Sequence, residues 1–175
     1  MAVKKNGFTI VEMMIAVTIL GIITTVGSNL FFTVLRGSTK AKVLQAVKQN
    51  GGYSLSVMES MIRNARRIES YPTATDFLTI LNPDGGVTTF HCCGTTPNFL
   101  IASESGSLAC AAARLTSDEV KVNNCANFFT VTAGLAGVQP DLVAIQFTLS
   151  QAGLSTRPEE QASIDFQATV GLRNY

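Results

Sequence analysis

Residues 8–35 read FTIVEMMIAVTILGIITTVGSNLFFTVL. From Met13 to Leu35 the stretch holds 23 residues without a charged side chain. A helix rising ~1.5 Å per residue carries that length across about 35 Å, enough for a hydrocarbon core ~30 Å thick. Two features separate it from an ordinary anchor. A short basic leader, MAVKKNG, precedes it and ends in Gly7, and a lone carboxylate, Glu12, lies in its second turn. A secretory signal carries its cleavage site behind the apolar region, at small residues. Here the expected cut precedes that region, so the apolar helix stays in the mature chain.

The string Lys4-Lys5-Asn6-Gly7-Phe8-Thr9-Ile10-Val11-Glu12 closely resembles the class III leader of type IV prepilins and type II secretion pseudopilins. In that family a membrane peptidase cuts after the glycine and N-methylates the new first residue. The resemblance implies a cut between Gly7 and Phe8, a methylated Phe8, and Glu12 as the fifth mature residue, acting in assembly. It covers the leader and the apolar helix. The partners it implies are the prepilin peptidase, the pilus assembly platform, the cytoplasmic membrane and other pilin subunits, alike or different. The expected protein is a structural subunit of a type IV pilus-like filament, not an enzyme. A pseudopilin of a type II secretion or DNA-uptake machine is the rival within the family. A membrane-tethered extracellular binding module that never polymerises is the rival from another class, and it has no need to lose MAVKKNG. Whether the subunit is major or minor stays open, although the stretch from Gln49 to Arg67 and the Leu-Arg-Asn ending look like minor pilins and the larger pseudopilins.

Glu12 supports the same reading on physical grounds. A carboxylate facing lipid costs about 2.5–3.5 kcal/mol at a helix centre, and less near an end, so such a group is usually functional. Cleavage at Gly7 creates an amine at Phe8, one helical turn away. The carboxylate can neutralise its own amine or that of a neighbouring subunit. The plainer reading is a single-pass anchor whose Glu12 reaches the interface.

Lys4 and Lys5 keep the leader cytoplasmic by the positive-inside tendency. Everything after Leu35 then lies outside, and in the filament it becomes extracellular or envelope-spanning. All four cysteines, Cys92, Cys93, Cys110 and Cys125, fall in this part, and an even count in an oxidising compartment favours disulfides. The formal charge of +1 predicts no bulk affinity for nucleic acid. Its distribution is uneven: residues 36–70 carry a net +5 and residues 71–175 a net −5. Complementarity between helices and heads, within or between subunits, is the simplest account. A weak contact of the basic face with DNA or acidic surface polymers is the sharper one, although a charged helix face is more often only solvated.

The glycine- and β-branched-rich run Gly21–Asn29 is a weak helix former in water, and outside lipid it could unwind. In lipid, backbone satisfaction holds it helical. From Arg36 to Ser70 the pattern stays helical and becomes amphipathic, with Leu44, Val47, Gly51, Leu55, Met58, Ile62 and Ala65 in one stripe. Gly37 and the Gly51-Gly52 pair are positions for a bend. The helix is expected to end near Glu69 or Ser70, before Pro72.

Beyond Pro72 the period becomes two. Phe77 to Leu81 and Val87 to Cys92 flank the turn Asn82-Pro83-Asp84-Gly85-Gly86 and form a hairpin. Phe99 to Ser103 and Ser107 to Ala111 flank Glu104-Ser105-Gly106 as a second hairpin. Leu115 to Val120 reads as a turn or strand edge, and Phe128 to Thr132 as a short strand. Val143 to Leu149 and Ile164 to Leu172 are the clearest strands, joined by the polar loop Gln151 to Gln161. The fold class is therefore α+β: residues 1–7 a cleaved leader, 8–35 a transmembrane helix, 36–70 its amphipathic continuation, and 71–175 an antiparallel β head. The stripe from Leu44 to Ala65 is the natural cover for the sheet.

No cofactor is expected. His91 lies beside Cys92 and Cys93, so a zinc site completed by Cys110 and Cys125 is conceivable, but the spacing matches no Cys-x₂-Cys pattern. No nucleophile motif accompanies His91, and no phosphate loop or EF-hand loop appears. Adjacent cysteines in a strand point to opposite faces. Three pairings exist for four cysteines, and two of them leave Cys92 and Cys93 unbonded to each other, each joined to one of Cys110 and Cys125. Both of these remain open.

Overall fold

The structure is a computed structural model. It describes residues 7–69, 76–95, 98–106, 108–135, 138–153, 157 and 161–173. The chain divides into two compact units, Met1–Thr39 and Lys40–Tyr175. One helix, α1 (Ile10–Asn64), supplies the first unit and the start of the second. It is followed by an antiparallel β-sheet, giving the expected α+β class.

In the first unit α1 is apolar and exposed on every side, and it is long enough to span a membrane. The run Gly21–Asn29 is helical throughout. Its hydroxyls help explain this. Thr24 Oγ1 donates to the Leu20 carbonyl at 2.7 Å, and Ser28 Oγ donates to the Thr24 carbonyl at 2.8 Å. Thr18 and Thr33 do the same one turn back along the helix. Polar groups in an apolar stretch are thereby satisfied within their own helix, the condition hydrocarbon imposes.

In the second unit the buried stripe of α1 is Val47, Gly51, Ser54, Met58 and Ile62. It seats on a core that includes Leu78, Ile80, Phe90, Ile101, Phe129, Ile145, Phe147 and Leu149. Leu44, placed in the stripe by periodicity, is 41% exposed. Ser54, which periodicity passed over as polar, is fully buried. Its hydroxyl bonds the carbonyls of Asn50, at 2.8 Å, and Leu115, at 3.1 Å. Asn50 Oδ1 accepts from Ser117 N–H at 2.8 Å. Two polar side chains thus fasten the 115–117 segment to the helix.

The helix stops at Asn64, earlier than the expected Glu69 or Ser70. Ala65 stays buried just past its end. Arg67–Ile68 form a short strand, β1, on Phe77–Leu81, β2. Arg66 N–H donates to the Leu81 carbonyl and Glu69 N–H to the Thr79 carbonyl, so the sheet captures the backbone that would have continued the helix. Neither Gly37 nor Gly51-Gly52 interrupts the helix. Gly51 serves close approach instead: a Cβ there would overlap the ring of Phe166. Gly51→Ala gains up to about 1 kcal/mol in helix propensity. It overpacks a ring already stacked on Phe147 with centroids 5.2 Å apart. Overpacking costs about 1–3 kcal/mol. We expect net destabilisation of about 1 kcal/mol or more in urea unfolding of a fragment beginning at Arg36, and a stabilised variant would contradict the packing.

The expected first hairpin joins β2 to β3 (Val87–Thr95), with Leu81 opposite Val87. Gly85 turns it at φ 87°, a conformation other residues rarely adopt. The expected second hairpin is not formed. Phe99 to Ser103 lie in β4 (Asn98–Ser105), which pairs with β3. Of the expected return arm, Ser107 lies outside the described residues, and Ala109 to Ala113 close helix-like turns, with Ala112 and Ala113 N–H both bonded to the Ala109 carbonyl. An alanine-rich run has little strand preference, so local turns win. Residues 113–115 then run beside β4, through Ser103 N–H to the Ala113 carbonyl and Leu115 N–H to the Ile101 carbonyl.

The remaining strands are β5 (Val120–Val122), β6 (Phe129–Thr132), β7 (Leu142–Gln151) and β8 (Ser163–Gly171). β8 pairs with β7 from residue 142 to 150 and occupies one edge of it. The other edge is shared: β6 pairs with Leu142 to Ile145, and β5 with Leu149 to Gln151. β7 is therefore the strand on which the head closes. A file of rings, Phe129, Phe128, Phe147 and Phe166, runs through its core with neighbouring centroids 4.7–5.2 Å apart.

Candidate processing and assembly site

Of the leader, only Gly7 lies within the described residues, and Lys4 and Lys5 lie outside them. Residues 7–9 are not helical, and α1 begins at Ile10. Phe8 is 80% exposed, and a Cβ built on Gly7 would meet nothing within 4 Å. The bond between them is thus in an open, non-helical segment, the geometry a peptidase needs to reach a backbone.

Thr9 caps the helix. Its hydroxyl accepts from Glu12 N–H, while Glu12 Oε2 accepts from Thr9 N–H and from the Thr9 hydroxyl, each at 3.3 Å. This is a reciprocal capping box, written in the sequence as Thr-x-x-Glu. The sequence reading assigned Glu12 to the amine and passed over Thr9, though the spacing was available to find it. The arrangement holds the Glu12 carboxylate against Thr9, the residue next to Phe8 in the chain. The carboxylate also favours the positive end of the helix dipole.

In the head, Cys92 joins Cys125 and Cys93 joins Cys110, with Cα separations of 5.9 and 6.2 Å. This is one of the two pairings left open. All four sulfurs are bonded, so none offers a thiolate to a metal. His91 Nε2 faces Glu104 Oε1 at 3.6 Å across the β3–β4 pair. Among the described residues no three His, Cys, Asp or Glu side chains group as a ligand set.

Arg67 pairs with Glu69 at 2.8 Å, and Arg114 pairs with Asp118, both local in sequence. Lys40, Lys42 and Lys48 stand exposed with no carboxylate at ion-pair distance among the described residues. Their charge is left for solvent or for another molecule.

A family model described as the prokaryotic N-terminal methylation motif matches residues 3–28. The matched span contains the Gly7–Phe8 bond, the Thr9–Glu12 cap and most of the apolar stretch that ends at Leu35. Comparison with curated proteins and with solved structures returns no significant match.

Proposed function

We propose that this pilin-type precursor, which carries the leader and methylation motif of the type IV pilin-like family, is a structural subunit of a type IV pilus-like filament. The observation that carries the proposal is the N-terminal junction: an open Gly7–Phe8 bond set directly before a capped, membrane-length helix. The prepilin peptidase cuts after Gly7 and methylates Phe8. The precursor waits in the cytoplasmic membrane as a single-pass protein with its head outside. The assembly platform then gathers subunits through their N-terminal helices, and the head-to-tail repeat gives a helical polymer because such an interface does not close on itself. Its role is structural and not catalytic. The pseudopilin of a secretion or DNA-uptake machine uses the same junction and differs in the filament it builds.

Glu12 acts twice in this scheme. Before cleavage it caps Thr9. Once Phe8 carries a free amine, the same carboxylate lies within one turn of a positive charge, its own or a neighbour's.

The test of processing is Gly7→Leu. A branched side chain before Phe8 should block the peptidase, leaving full-length precursor in the membrane with little mature chain. Mature chain of normal length from this variant would contradict the assignment of the cut.

A further inference from the structure

We propose that Lys40 and Lys42 bind the headgroups of anionic phospholipids at the outer end of the membrane-length helix. The inference rests on the membrane reading of that helix and is independent of the filament. Residues 13–58 hold no acidic side chain, and their four cations are Arg36, Lys40, Lys42 and Lys48. All four follow Leu35, where the uncharged run ends. The helix therefore presents one sign of charge from the point where hydrocarbon stops. Removal of Lys4 and Lys5 with the leader leaves these as the side-chain cations of the mature helix that lie nearest the membrane.

Depth and direction come from the helix itself. α1 runs without a break from Ile10 to Asn64. Lys40 and Lys42 stand five and seven residues past Leu35, a rise of roughly 7 and 10 Å. A bilayer about 40–45 Å thick with a hydrocarbon core of ~30 Å leaves roughly 5–8 Å of headgroup layer on each side. Side chains on a helix lean toward its N-terminus, which here is the membrane end. A lysine stem then lies back along the helix and sets its ammonium among the phosphates. Lys48, roughly 20 Å past Leu35, stands clear of that layer.

Two observations favour lipid over a protein partner. Lys40 and Lys42 are exposed, and no carboxylate among the described residues lies within ion-pair distance of either. At 3.6 residues per turn they are roughly 200° apart about the helix axis, on nearly opposite sides. A protein docked on one face of the helix meets one of them. A headgroup layer surrounds the helix and meets both. Charge complementarity then names the ligand class, since each lysine close to an anionic lipid surface is attracted to it and the attraction fades within a Debye length.

The test uses the full chain in vesicles. The protein has no tryptophan, so Ser38→Trp, at an exposed position between Leu35 and Lys40, supplies a single fluorescent reporter. The chain is reconstituted in an equal mixture of phosphatidylcholine and phosphatidylglycerol, with one or the other lipid brominated as quencher. The expected result is stronger quenching by brominated phosphatidylglycerol, enriched about fivefold beside each lysine at low salt. Lys40→Gln and Lys42→Gln together should remove most of that preference. So should 1 M salt, at which the Debye length is about 3 Å. Lys48→Gln should leave the preference unchanged. Equal quenching by the two lipids in the Ser38→Trp chain would overturn the proposal. So would a preference that survives the double substitution, or one lost as fully on Lys48→Gln. Quenching by neither lipid would place residue 38 away from any bilayer and overturn the membrane reading as well.

Discussion

Glu12→Gln leaves the subunit in the membrane and removes it from filaments. The two roles of the carboxylate separate in this variant. A glutamine side chain keeps an oxygen that accepts from Thr9 N–H, so the helix still starts at Ile10. Removing a charge from an apolar stretch makes insertion no harder. What is lost is the negative charge proposed to meet the Phe8 amine, and a charge-assisted hydrogen bond is roughly twice as strong as a neutral one. That loss is repeated at every subunit contact. Recovery in sheared filaments should fall roughly tenfold or more, with membrane levels equal to wild type. Equal recovery of variant and wild type would show that Glu12 serves only as a helix cap.

Loss of the disulfides should be the largest single blow to the head. Cys93–Cys110 spans 17 residues and Cys92–Cys125 spans 33. In the chain-entropy model they contribute about 3 and 4 kcal/mol, against roughly 5–15 kcal/mol for a whole domain. The bonds also hold segments that the sheet holds weakly. Cys110 lies in the turns that replace a strand, and Cys125 precedes β6 in a stretch with no ladder of its own. For a soluble fragment beginning at Arg36, reduction should lower the melting temperature by on the order of 10 °C or more. A non-reducing peptide map should show Cys92 with Cys125 and Cys93 with Cys110. An unchanged melting temperature, or a peptide joining Cys92 to Cys93, would contradict this.

The parts of the molecule that read clearly from the sequence are those where one physical demand dominates. Met13 to Leu35 is long enough to span a membrane, and an uncharged run of that length admits few solutions. Val143 to Leu149 must bury one face, and strict alternation states which. The Asn82–Gly86 turn needs a residue at positive φ and has one in Gly85.

The parts that misread are those where two demands compete. At Ala65 the apolar spacing of the helix continues, yet β2 takes the next backbone groups and ends it. Ser107 to Ala111 has the spacing of a hairpin arm, yet at Ala109 to Ala113 local turns tied to Cys93 through Cys110 prevail. Ser54 and Asn50 look like surface residues in a one-dimensional pattern, and only the path of residues 115–117 gives them partners. At the candidate site, Gly7, Phe8 and Glu12 stand out in the sequence because the proposed chemistry of cleavage and charge is local. Thr9 was legible too, through its spacing to Glu12. The close approach of Gly51 to Phe166 was not, because β8 and α1 meet there from distant parts of the chain.

The central claim is that the chain matures at Gly7 and works as a polymer subunit. Mass spectrometry of surface-sheared filaments tests it most directly, since it reads the N-terminus and the location together. The predicted result is a chain beginning at N-methylated Phe8, with both disulfides intact, as a component of the filament fraction. A chain found only in the membrane with MAVKKNG still attached would contradict it.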